Sequence, residues 1–424
     1  MTPVERVEHV TCLGCGCGCD DISVTVQDGR ILEATPVCPI EQQWLGDGTI
    51  PWEVLSAGRP AALEDALGEA AGVLAESRGR SLVYVAPDLT SQAQRLAITL
   101  ADLLRAAVDT ATSETAAAGL LAAQRRGRAT ATLGEIRNRA DLLLFWGTDP
   151  SRRYPRYLSR YAVEPAGTHV PQGRAGRFII SVSIGADRGP APADLTLTLE
   201  PGEEIAALSL MRAAVLGRPS GELSPGSSHA VALVPRLIGA RYAVLVHDAE
   251  PADQPDNPLR VEGLIALTQA LNGPTRAALS SLRAGGNRPG AESVLTWQTG
   301  YPFAVDYSRG HPRYTPGKRG LDRLAAGGFS AALVVGSPDV GDRAAAALSR
   351  ISTVAIGPRA SQAPFTTRVA IDTGIAGIHE GGTAYRMDEV PLPLRPPLTG
   401  RRSASETLLA LTDALRTRLA DPGA

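Results

Sequence analysis

The sequence predicts a layered α/β protein: two doubly wound parallel-sheet domains plus a small β-rich N-terminal cap that carries the cysteines. Three observations support this. Short apolar runs recur along the chain, each followed by a loop or an amphipathic helical pattern, as expected of parallel strands covered on both faces. All five cysteines fall before residue 39. The 424 residues, 44% hydrophobic and 20% charged, are enough for more than one core.

The cap comes first. In "CLGCGCGCDD" the spacing Cys12-x2-Cys15-x3-Cys19, followed by Cys38, puts four thiolates within reach of one tetrahedral site. Gly14, Gly16 and Gly18 let the backbone wrap closely around a metal group. This spacing suits a [4Fe–4S] cluster better than zinc, which favours paired C-x2-C knuckles. Zinc and a vestigial, empty site remain the other two readings. Cys17 is expected to point away and is excluded from the ligand set. The clustering does not suit a secreted disulfide scaffold. "DISVTVQDGRILEAT" then alternates Ile22, Val24 and Val26, turns at Asp28-Gly29 and resumes at Ile31, a β-hairpin.

Past the hairpin the period changes. "GRPAALEDALGEAAGVLAESRG" and "SQAQRLAITLADLLRAA" have helical spacing, and "SLVYVAP" between them is a short buried strand. A strand near Asp109 and a helix over 115–124 follow. "ADLLLFWG", "GRFIISVSI", "ARYAVLVHD", "SAALVVGS" and "STVAIGP" are further buried strands. Ligands of such sheets bind beyond the carboxyl ends of the strands. No G-x-G-x-x-G follows a strand, so the common dinucleotide fingerprint is absent.

Composition narrows the function. The net charge of −2 gives no basic field for nucleic acid, and no apolar run reaches the roughly 20 residues of a membrane span. Glu5, Arg6, Glu8 and His9 do not suit a signal peptide, so a cytoplasmic protein is expected. Lys318 is the only lysine and sits in a Pro-Gly-Lys-Arg-Gly turn, which nearly excludes P-loop or Schiff-base chemistry. The six histidines show no H-x-x-x-H or H-E-x-x-H spacing for a zinc hydrolase. His311 is expected to be structural or to line a cavity. Trp297, Tyr301, Phe303, Tyr307 and Tyr314 are expected in a cavity wall or interface. Arg152, Arg153, Arg156 and Arg160 are expected in a salt-bridged interface with a partner, with binding of anionic cofactor tails as the alternative.

The cysteine motif together with "TLGEIRNRADLLLFWGTDPSRRYPRYLSRY", "LTWQTGYPFAVDYSRGHPRYTPG" and "EGGTAYRMDEVPLPLRPPL" closely resembles the B-type chain of formylmethanofuran dehydrogenase. The resemblance runs over nearly the whole chain and implies the molybdopterin-oxidoreductase fold. In that family the chain holds a [4Fe–4S] cluster and tungsto- or molybdopterin and reduces carbon dioxide to formate. The domains it implies are a cap over 1–56 with parts of 365–424, a discontinuous α/β domain over 57–110 and 263–364, and an inserted α/β domain over 111–262.

The chain departs from this family where the redox chemistry resides. Against a family segment like D-N-T-A-S-V-C-H-G-P, Thr115 stands at the metal-binding cysteine and Ala116 at the following histidine. A hydroxyl is a poor ligand for a soft metal, and alanine moves no proton. Where the family has D-P-R-x-T, which helps hold the pterin dinucleotide, this chain has Ser183-Ile-Gly185-Ala-Asp187. Arg283 matches a family arginine, but Gly285 replaces the histidine two residues on. Tungsto- or molybdopterin is therefore not expected.

This pattern resembles the B-type chain of the bacterial formyltransferase/hydrolase complex of methylotrophs. The resemblance implies a noncatalytic structural role within formyl-tetrahydromethanopterin conversion to formate through a methanofuran-type cofactor. Its implied partners are an amidohydrolase-type A chain, a β-helical C chain and a formyltransferase D chain. The competing readings are an active pterin-dependent dehydrogenase and an iron–sulfur electron-transfer protein.

Overall fold

The computed structural model describes residues 3–218, 223–251 and 257–420. The chain divides into two compact units: Met1–Glu114 with Gly285–Arg386 and Pro391–Ala424, and Thr115–Ala284 with Met387–Val390.

The first unit is built on a nine-stranded sheet. Its middle strands, Ala107–Thr110, Ser81–Val85, Ala331–Val335, Ser352–Gly357 and Val369–Asp372, are parallel in that spatial order. Ser81–Val85 and Ala331–Val335 are buried at every position, because helices cover both faces. Helices Leu63–Glu76, Ser91–Leu103 and Ala404–Ala420 pack on one face, and Gly320–Ala325 and Asp342–Leu348 on the other. Thr90 starts the second of these helices by accepting the Ala93 N–H at 3.1 Å, a cap worth about 1 kcal/mol.

The sheet is not parallel throughout. Val305–Asp306 with Arg313–Tyr314, and Val54–Ser56 with Arg59–Pro60, add antiparallel ribbons at its two edges. These strands are too short to show a period in sequence. Their brevity, with Pro60 lacking a donor, leaves little edge for another chain to pair with.

The N-terminal segment forms its own antiparallel sheet of Glu5–Val10, Ile22–Gln27 and Arg30–Thr35. The hairpin turn falls at Asp28 and Gly29 as the sequence predicts, both with positive φ (49° and 74°). The cysteine-rich loop connects the first two strands.

The second unit holds a fully parallel five-stranded sheet. Its order is Leu195–Leu199, Phe178–Ile184, Leu142–Trp146, Ala243–Asp248, Ala277–Leu282. Thr132 and Glu135 form a reciprocal capping box on helix Leu133–Arg139, which leads into the wholly buried Leu142–Trp146 strand.

Both parallel sheets reverse direction of winding once. In the first unit this happens between Ser81–Val85 and Ala331–Val335, in the second between Leu142–Trp146 and Ala243–Asp248. The carboxyl ends of those strand pairs are where doubly wound sheets leave a ligand crevice. Among the described residues no helix is long and apolar enough to cross a membrane.

Candidate functional site

The first candidate region is the cysteine loop of the first unit. The Cys12 N–H donates to the Cys19 carbonyl at 2.8 Å, closing the loop into a ring. The Gly14 N–H donates to Cys12 Sγ at 3.2 Å. Cys38 caps helix Pro39–Leu45: its Sγ accepts the Glu41 N–H at 3.5 Å, and Glu41 Oε2 accepts the Cys38 N–H at 2.7 Å. All five cysteines are buried. Burial pushes the Cys12 thiol well above its ordinary range and raises Cys38 as well.

Cys17 is fully buried, and its contact with Cys15 together with burial drives its thiol well above its ordinary range. Four buried cysteines thus share the loop between Cys12 and Cys19, and the fifth, Cys38, caps helix Pro39–Leu45. Among the described residues, no three His, Cys, Asp or Glu side chains stand arranged to hold a metal ion. The donor chemistry nevertheless suits a thiophilic metal. Sulfurs held protonated by burial become thiolates when a cation compensates their charge, and two of them already accept backbone N–H groups.

The loop has a tight neighbour. The Gly286 N–H donates to the Leu13 carbonyl at 2.8 Å. A Cβ on Gly285 would lie 2.4 Å from the Gly14 oxygen and 2.8 Å from the Leu13 oxygen. Glycine at 285 is therefore a packing requirement, and a histidine there would displace the cysteine loop. Asn287 fixes the segment. Its Nδ2 donates to the Leu89 carbonyl at 3.0 Å and to Ser91 Oγ at 3.1 Å, and its Oδ1 accepts the Tyr385 N–H at 2.7 Å.

The second candidate region is the crevice at the strand ends of the second unit. Thr115, half-buried, ends the short helix Thr112–Thr115, and the buried Ala116 begins helix Ala117–Arg126 without a side-chain cap. Ser183 Oγ accepts the Gly189 N–H at 3.4 Å. Gly185 has φ +56°, and a Cβ there would lie 2.9 Å from the Pro201 ring. Asp187, at the last position of the D-P-R-x-T match, pairs with Arg260 at 3.2 Å. Arg260 also pairs with Glu204, which accepts the Trp146 indole N–H at 2.8 Å. The Arg260 guanidinium carbon would be 3.7 Å from a Cβ on Gly147, at the end of the Leu142–Trp146 strand. An arginine with its own carboxylates thus sits against the turn at Gly147.

Arg283 is neutralised in the same way. It forms an ion pair with Glu250 in which the two side chains are 6% and 1% exposed. The Ala284 N–H adds a bond to Glu250 at 3.3 Å. His247, at the end of the Ala243–Asp248 strand, meets Ser281 Oγ through Nε2 at 2.8 Å, while its buried Nδ1 has no hydrogen-bond partner. Burial, reinforced by Arg260 and Arg128, pushes its pKa down to about 3, so the ring is neutral.

Sequence reasoning missed Glu204, Glu250, Arg260, His247 and Asn287. An N-cap asparagine ahead of Pro258 marks the helix that carries Arg260, but nothing local marks its carboxylate partners. Of the other residues singled out, His311 is exposed; a further histidine, His379, is structural, bonding Gly48 O and the Ile375 N–H. Phe303 and Tyr307 are buried in the first unit, Tyr301 stacks on Tyr314 at 5.1 Å, and Trp297 is 61% exposed. Arg153 pairs with Asp248 within the chain.

No family model matches the chain. It is 32% identical over 414 residues to the B-type chain of the tungsten-containing formylmethanofuran dehydrogenase 2 of Methanocaldococcus jannaschii, covering 92% of this chain and 94% of that protein. The corresponding chain of Methanococcus maripaludis is 30% identical over 411 residues, with the same coverage. The B-type chain of the formyltransferase/hydrolase complex Fhc of Methylorubrum extorquens is 27% identical over 377 residues, 86% of this chain and 98% of that protein. Among solved structures, the crystal structure of the FhcABCD complex of Methylorubrum extorquens with methylofuran matches with a TM-score of 0.73. That match has 26% identity and covers 87% of this chain and 99% of the matched chain.

Proposed function

The chain belongs to the B-type family of formylmethanofuran dehydrogenase chains, and from that kinship we propose that it is a noncatalytic, organising member of a formyltransferase/hydrolase-type complex. Such a complex would convert a formyl-tetrahydromethanopterin to formate through a methanofuran-type carrier, in cytoplasmic one-carbon metabolism. Its companions would be chains of the A, C and D types, with hydrolysis and formyl transfer carried out on A and D. Both α/β units would be of the molybdopterin-oxidoreductase type, with the cysteine-bearing sheet as the cap.

One observation carries the reading. At the strand ends of the second unit, Asp187, Glu204 and Glu250 supply internal anions to Arg260 and Arg283. A pterin dinucleotide, itself anionic, would have to displace these pairs and overcome the carboxylate at Asp187. Thr115 offers it no thiolate. The chain then contributes by holding its companions in register rather than by bond chemistry.

At the cysteine loop, Cys12, Cys15, Cys19 and Cys38 would hold a [4Fe–4S] cluster, which when bound supplies a one-electron couple. In this chain its value would be structural, a four-point crosslink of the loop to the start of helix Pro39–Leu45. Anaerobic purification of the whole complex with metal analysis tests both parts. Iron without tungsten or molybdenum is expected, and replacing any of the four cysteines by serine should reduce the iron. Zinc, or no metal, would retire the cluster. Stoichiometric tungsten or molybdenum would retire the noncatalytic reading in favour of an active dehydrogenase. The higher identity to the tungsten enzymes, 32% against 27%, favours that second reading. Omitting the chain from co-expression should disassemble the complex or lower formate production.

A further inference from the structure

We propose that the second unit carries a further small-molecule site, at the amino ends of its central strands, that binds a monocarboxylate with an apolar body. This site is independent of the function proposed above and lies at the opposite end of the strands from the crevice. A cavity of about 470 Å³ opens there, walled by Leu142, Phe178, Pro235, Arg236 and Gly239, with Asp141 at its edge. Sites for small molecules span roughly 300–1,000 Å³.

Charge decides the ligand. Arg236, on helix Val234–Gly239, lies over the Phe178 ring, its guanidinium carbon 4.2 Å from the centroid. It is exposed and forms no ion pair with any described residue. The carboxylate of Asp141 does not answer it, being engaged elsewhere. Asp141 accepts the Tyr242 N–H at 2.8 Å, and the Arg241 N–H and Nε at 3.1 and 3.0 Å. The cation–π contact anchors the Arg236 guanidinium, whose remaining N–H donors can meet a planar carboxylate with two bonds. The ring is itself fixed: Phe178 opens its strand in register with Leu142, and its N–H donates to the Asp141 carbonyl at 2.8 Å. Phe178, Leu142 and Pro235 give the ligand's body an apolar surface, and the Asp141 charge disfavours a second anionic group. Gly239 keeps the cavity open, since a Cβ there would meet no atom within 4 Å.

The test titrates the full chain against para-fluorobenzoate, read by fluorine NMR. The natural chain should broaden the fluorobenzoate line and leave para-fluorobenzyl alcohol, which lacks the charge, nearly unaffected. Arg236→Gln should weaken binding by about tenfold or more, with Arg236→Lys between, since an ammonium stacks less well and cannot form the planar fork. Gly239→Leu keeps the cation but fills the cavity, and should abolish binding; thermal unfolding confirms that each variant is folded. No broadening by the natural chain, or broadening that survives both Arg236→Gln and Gly239→Leu, would overturn the site. Equal binding of the alcohol, or displacement by inorganic phosphate as readily as by benzoate, would overturn the ligand class. Binding by the chain alone that disappears in an assembled complex would give the cavity to a companion's carboxylate and overturn the proposal as well.

Discussion

The cysteine loop and the crevice of the second unit have treated their polar groups in opposite ways. The loop keeps buried sulfurs, with the Cys12 and Cys17 thiols held well above their ordinary range, that a cation could draw into thiolates. The crevice has spent its cations on its own carboxylates: Arg260 on Glu204 and Asp187, Arg283 on Glu250. A buried thiol costs little to leave uncharged, whereas a buried guanidinium must have an anion. A buried arginine therefore needs an internal partner, and a buried thiol needs none.

That contrast can be tested at four points. Removing one crevice anion should have the largest effect. Glu250→Ala removes the buried anion that faces Arg283, and should cost about 3–5 kcal/mol in chemical denaturation, most of it regained in a Glu250→Ala, Arg283→Met double variant. A loss below about 1 kcal/mol would mean the pair behaves as a solvated one.

Next comes pH. The folded-state pKa of His247, about 3, lies below its ordinary 6.5, so the unfolded chain binds the extra proton. The stability that this ring confers is complete above pH 6.5. It falls as the pH drops toward 3, by up to about 1.4 kcal/mol per unit. His247→Gln should flatten that slope in acid-denaturation curves, and an unchanged slope would place the sensitivity elsewhere.

At the loop, Gly285→His should cost about 1–3 kcal/mol by overpacking Gly14 and should lower iron retention without creating formate dehydrogenase activity. Thermal unfolding and metal analysis read both effects. The smallest change belongs to Thr115→Ala. It should leave stability within about 0.5 kcal/mol and formyl transfer and hydrolysis near normal. Thr115→Cys should give no formate dehydrogenase activity, since Ser183 and Gly185 still offer no hold for a dinucleotide. A large rate loss in Thr115→Ala, with the complex assembled, would make the crevice catalytic.

The parallel strands at the centre of each sheet were legible because burial on both faces leaves unbroken apolar runs such as "LLLFW" and "SLVYV". Ala277–Leu282 was not, because "AALSSL" is made of small residues that pack without a strong hydrophobic signal. Leu195–Leu199 alternates Leu and Thr at the sheet edge and also went unflagged. In the candidate site, the ligand-type cysteines and the substitutions at 115, 116 and 285 were visible in sequence. Their consequences were not. Glu250 reaches Arg283 from 33 positions away and Glu204 reaches Arg260 from 56, distances at which no local pattern pairs a charge with its partner.

The Asn287 anchor also imposes a schedule on biosynthesis. It binds Leu89, 198 positions earlier, and Tyr385, 98 positions later. At 5–20 residues per second, a ribosome needs about 10–40 s to travel from Leu89 to Asn287. During that interval the nascent chain carries its sulfurs without the Gly285–Asn287 segment that later closes on them, while the intervening second unit has all five strands of its own sheet and can collapse first. The cysteine loop is thus made early and shut late. A metal ion bound there would have its easiest entry during translation, before the Gly285–Asn287 segment arrives.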